Sequence, residues 1–210
     1  MLKPAAMQLP DYDRTQALAL LKEKPGVTLS SFDIASKAHR RWDLKQPQEA
    51  ALLFCLAFER AQQEGPGDKP SQAPNYFVRA AITFNQAGET AVAEPMLLKA
   101  TQIDWSAAGL PHDSHMCEWA YEQLLLNQRH DSAEMFSQLF TQAQARCEQL
   151  GWVFPKIYPK QETLLEVALE LEIASIVRTL VDLIGQRRPI SRSARQQLQT
   201  AQQWLEQNST

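Results

Sequence analysis

Apolar residues recur along this chain at helical spacing, in segments punctuated by glycine and proline. The stretch FVRAAITFNQAGETAVAEPMLLKATQIDW, residues 77–105, states the pattern most clearly. Small residues fall where two helices must touch (Ala80, Ala81, Ala93, Ala100), large apolar ones fill the gaps (Phe77, Phe84, Leu97), and Gly88 falls at the bend. Upstream, one helix is predicted over about 13–24, ended by Pro25-Gly26, and Ser30 or Ser31 caps another through about Trp42. Pro47 opens the next, QEAALLFCLAFERAQQ, in which Ala50, Phe54 and Ala57 repeat the spacing of Ala93, Leu97 and Ala100. The Gly/Pro-rich EGPGDKPSQAP makes a loop near 64–74. In a third pair, Asp113 or Ser114 caps a helix with Cys117, Ala120, Tyr121 and Leu124 inward. A turn over 127–131 then leads to a return helix with Ala133, Phe136 and Phe140 inward. A long helix over about 160–184, apolar almost all round, and a last one over about 191–207, with Ala194, Leu198, Ala201 and Leu205 in one stripe, complete the chain.

The hairpin at 77–105 resembles the tetratricopeptide (TPR) family over about one repeat length. Taking Ala50, Ala93 and Ala133 as equivalent gives intervals of 43 and 40 residues, against ~34 for a TPR unit and ~40–47 for HEAT-like units. The expected fold is all-α: a short right-handed α-α solenoid of about three TPR-like hairpins. Its expected parts are an N-terminal segment and helix (1–26), the hairpins (27–151), and a long apolar helix with a C-terminal cap (152–210).

Composition supports helices and narrows the function. Five of the seven glycines (Gly26, Gly88, Gly109, Gly151, Gly185) stand between periodic segments, which leaves no glycine-rich loop to cradle a phosphate. A net charge of −3 argues against a dedicated nucleic-acid binder. Three cysteines without close pairing point to a reducing compartment. The opening MLKPAAMQLPDYD lacks the apolar core of a signal peptide, and no apolar run approaches the ~20 residues that span a bilayer, so a cytoplasmic location without membrane association is expected.

Specific enzyme motifs are absent: no P-loop, dinucleotide fingerprint, HExxH, CxxC or nucleophile elbow. His112, His115 and Cys117, with Cys147 on the return helix, are zinc-ligand types at one hairpin end, but their spacing reads more simply as a helix start with packed thiols. Neither metal nor cofactor is expected. The rows Glu162/Glu166/Glu170 and Glu118/Glu122 read as solvated faces, or as an acidic surface for a basic partner. The basic segments at 37–41 and at Arg187, Arg188 and Arg192 lack the interleaved aromatics that base stacking needs.

The TPR resemblance implies a non-enzymatic protein-binding module, an adaptor or chaperone, whose first helices line a groove. Groove positions carried over are Phe32, Ala35, His39, Trp42 and Asp43, then Asn75, Val78, Ile82, Asn85 and Gln86, then His115, Glu118, Glu122, Leu125 and Leu126. The family's Lys/Asn clamp for a chaperone's terminal carboxylate is not matched, since Ala35 and His39 stand in its positions. A partner with a partly basic face is expected. A sharper version is a bacterial immunity protein neutralising a cognate toxin, and a zinc protein or nucleic-acid-binding solenoid are the alternatives. The apolar helix at 160–184 would also suit a homodimer interface.

Overall fold

A computed structural model describes residues 7–21, 28–65, 70–127, 132–156, 160–187 and 191–208. Within these the fold is all-α. The helices are α1 (Arg14–Leu21), α2 (Ser31–Asp43), α3 (Pro47–Glu64), α4 (Ala73–Gln86), α5 (Thr90–Thr101), α6 (Met116–Asn127), α7 (Ala133–Gln149), α8 (Lys160–Glu170), α9 (Ala174–Gly185) and α10 (Arg192–Gln207). A 3₁₀ segment, Pro111–His115, leads into α6. Predicted starts are visible in the caps: Ser30 and Asp33 form a capping box on α2, Pro47 opens α3, and the Ser191 side chain accepts from the Ala194 amide on α10. At α6 the expected cap is absent. Asp113 instead accepts from Asn75, and Ser114 donates to the Pro111 carbonyl. The predicted turns at Pro25-Gly26 and 128–131 lie outside the described residues.

One turn design recurs. After α2, α4 and α8 the chain reverses in three residues, and the middle one has a positive φ: Lys45 at 61°, Gly88 at 84°, Glu172 at 55°. Each turn carries the same two backbone bonds: Lys45 N to Trp42 O with Gln46 N to Arg41 O, Gly88 N to Asn85 O with Glu89 N to Phe84 O, and Glu172 N to Leu169 O with Ile173 N to Ala168 O. These are Schellman closures, which satisfy the last carbonyls of a helix through a left-handed residue. The third corrects the sequence reading. The single long helix expected over 160–184 is two helices, α8 and α9, and the break went unread because glutamate, not glycine, takes the left-handed position.

The helix starts reveal a steady period. First helices begin at Ser31, Ala73, Met116 and Lys160, steps of 42, 43 and 44 residues, and second helices at Pro47, Thr90, Ala133 and Ala174, steps of 43, 43 and 41. The residue equivalent to Ala50 and Ala93, fourth in its helix, is therefore Phe136. Ala133, taken as the equivalent from sequence, is the first residue of α7 and is exposed, whereas Phe136 and Phe140 are buried.

The chain forms two compact units, Met1–Gln123 and Leu124–Thr210. In the first, α3 packs against α1, α2 and α4, and α4 packs against α5. Residues 50–58 of α3 are all buried, as a helix enclosed by neighbours requires. Ala80, Ala81, Ala93 and Ala100 are fully buried, so small side chains do sit where α4 and α5 approach. Phe58 and Phe77 meet at a ring separation of 5.8 Å, joining α3 to α4. In the second unit α8, α9 and α10 pack on one another. There α9 buries Ile176, Val177, Leu180, Val181 and Ile184, while α10 buries Ala194, Leu198 and Ala201 beneath a glutamine-rich outer side. No helix among the described residues is long and apolar enough to cross a membrane.

Candidate functional site

In the first unit α2, α4 and the 3₁₀–α6 segment lie side by side, joined by side-chain bonds. Trp42 Nε1 donates to Gln86 Oε1 (2.6 Å), Asn75 Nδ2 to Asp113 Oδ2 (2.8 Å) and Asn85 Nδ2 to Gln123 Oε1 (3.1 Å). The accessible stripe on α2 includes Phe32, Ser36, His39 and Asp43, and α4 adds Arg79 and Gln86 on either side of the buried residues 80–84. On the third segment it runs through His115, Trp119 and Gln123. These steps of three, four or seven residues keep each stripe on one helical side.

Relative to the predicted groove, α4 and α6 are turned by one residue, about 100°. Phe32 (71% exposed), His39, Trp42, Asn85 and His115 remain accessible, but Val78 is fully buried and Asn75 nearly so. Glu118 and Glu122, expected on a solvated acidic face, are only 1% and 8% exposed. The reason is that α6 is buried on most of its circumference, leaving only Trp119, Gln123, Leu126 and Asn127 half-exposed. Ala35 and Ile82 are buried too. In the second acidic row Glu162 is buried and accepts from Ser193, while Glu166 and Glu170 are exposed. Of the carboxylates assigned to meet a basic partner, Glu118, Glu122 and Glu162 are thus withdrawn from the surface.

Sequence reasoning missed Arg79 and Trp119. The guanidinium carbon of Arg79 lies 5.7 Å from the centre of the Trp119 ring, a cation–π contact. Burial pulls the pKa of Arg79 below its ordinary value, with Asp113 and then Tyr76 opposing. The signal was present, since Arg79 is the only charged residue in the fourteen of α4. Across from it, His39 stacks on Trp42 (ring centres 6.1 Å apart) and meets the Phe54 ring edge-on at 5.0 Å. Burial first, and the charge of Arg79 second, lower the His39 pKa, while Asp43 opposes. On the third segment His115 meets Trp119 edge-on at 5.7 Å, and its Nδ1 lies 3.0 Å from the His112 carbonyl, a contact in which Nδ1 is the donor. Guanidinium, two imidazoles and two indoles therefore share one face, suited to binding planar or anionic groups.

The other candidate chemistry is dispersed. Among the described residues no three His, Cys, Asp or Glu side chains are grouped to hold a metal ion. All three cysteines are buried, burial and then Glu59 push the Cys55 thiol up, and Cys117 donates to the Thr101 carbonyl at 3.5 Å. In the basic segment of α2, Lys37 donates to the Leu21 carbonyl, while Arg41 pairs with Glu49 and donates to Gln46. Of the second basic segment Arg187 is half-buried, Arg192 is exposed and Arg188 lies outside the described residues. The chain matches no known protein family, no curated protein and no solved structure.

Proposed function

We propose that this chain is a non-enzymatic protein-binding module in which α2, α4 and the segment leading into α6 form a docking face for a partner polypeptide. The observation carrying this reading is the accessible stripe of aromatic and polar side chains on three first helices, backed by the enclosed α3. In this proposal the hairpins α2/α3 and α4/α5 stack as a right-handed α-α solenoid. They are TPR-like in their alanine contacts, although the period of 41–44 residues exceeds the ~34 of a TPR unit and falls in the HEAT-like range. The chain is read as a cytoplasmic adaptor or chaperone.

Phe32 offers the cleanest test, because it is 71% exposed and its removal is expected to leave the fold intact. In a native pull-down from the source cell, wild type is expected to retain one stoichiometric protein, and Phe32→Ser with Gln86→Ala is expected to lose it. Equal retention by both versions would place the partner elsewhere. A retained protein that is toxic when expressed alone would identify the module as an immunity protein.

A further inference from the structure

Among the described residues the Arg79 guanidinium makes no hydrogen bond, and no carboxylate lies within salt-bridge reach of it. Trp119 lies against it, at 5.7 Å from its carbon to the ring centre. Asp113, the acidic group whose charge it feels most, is held by Asn75 at 2.8 Å and so compensates only from a distance. A guanidinium carries five N–H donors in a planar fork that fits a carboxylate, and one left unspent on a half-buried face is costly to keep. Phe32, Trp42 and Trp119 supply apolar contact on the same three helices.

We propose that Arg79 anchors an aspartate or glutamate side chain of an extended polypeptide laid across α2, α4 and α6. The charge balance selects at most a monoanion: one guanidinium stands near Asp113, and His39, its pKa lowered by burial and then by Arg79, adds no fixed positive charge near neutral pH. A phosphate, at about −1.5 to −2, would be undercompensated there. This inference rests on the docking-face reading and reverses the charge that sequence had assigned to the partner.

A library of short random peptides displayed on phage tests it. Wild-type protein is expected to select peptides sharing an Asp or Glu. A synthetic copy with acetylated and amidated ends should then lose at least about tenfold in affinity on Glu→Gln or Asp→Asn substitution. Arg79→Gln protein, with unchanged helicity and melting temperature, should lose the same factor. The peptide-side change leaves the protein untouched, so the test survives if the variant misfolds. Equal binding of the acidic and amide peptides would overturn the carboxylate anchor while leaving the docking face standing, provided Phe32→Ala weakens both. Loss of binding on amidating the C-terminus alone would overturn the side-chain assignment. Selection of no peptide at all would remove anchor and docking face together.

Discussion

Arg79 and His39 illustrate how one helix face tunes its members. A half-buried cation without an ion-pair partner is seldom a source of stability, and a neutral side chain of similar volume is often tolerated as well or better. Arg79→Met is therefore expected to leave the unfolding free energy within about 1 kcal/mol of wild type, or to raise it, while abolishing acidic-peptide binding. A loss above about 2 kcal/mol in urea denaturation would make Arg79 a structural residue instead. For His39 the folded-state pKa is lowered, so the unfolded chain binds a proton more readily. Its contribution is thus present above the unfolded value near 6.5 and is lost as pH falls from there through the folded pKa. Wild type should lose more stability than His39→Gln between about pH 7.5 and about pH 5.5. Parallel losses in the two proteins would show that His39 is not the group responsible.

At the scale of elements, the three-residue turns make a matched set of predictions. A left-handed conformation penalises a residue bearing Cβ by about 1 kcal/mol, and Gly escapes the penalty. Glu172→Gly should accordingly stabilise by about 0.5–1 kcal/mol, and Gly88→Ala should destabilise by about 1 kcal/mol, both measured by chemical denaturation. No gain at Glu172 would mean that its side chain contributes something a backbone account omits. The same turns explain what was legible in the sequence. Gly88 announced its turn through residue type, whereas Lys45 and Glu172 reach the same geometry without a glycine, and the turn after α8 went unseen. Helix existence was readable because alanine and large apolar residues alternate at helical spacing around 77–105. Helix orientation was less so: α4 and α6 are buried on most of their circumference, so periodicity cannot choose between adjacent sides, and Val78 and Glu118 take in that reading the places held by Arg79 and Trp119. The burial of Glu118 and Glu122 had no local signature, since an i, i+4 acidic pair reads the same on a wet or an enclosed helix.

For the whole molecule, the net charge of −3 and the single arginine on the docking face set the expected salt response. One carboxylate on one guanidinium releases few counterions, so acidic-peptide affinity should fall by less than about threefold between about 50 and about 200 mM salt. A loss of about a thousandfold over the same range would instead mark a polyanion reader and revive the nucleic-acid alternative.

The hairpin turns carry a consequence for how such a chain changes over time. Each of the three corners is closed by two hydrogen bonds made wholly within its own few residues, so none asks a distant segment for help. A corner of that kind can be copied, moved or spliced with its two helices as a cassette, and it arrives already folded back. Length variation is then free to collect in the stretches that join one cassette to the next, such as 65–72 and 102–110. Those joints are where new surface can be added beside the docking face without disturbing the pairs that build it.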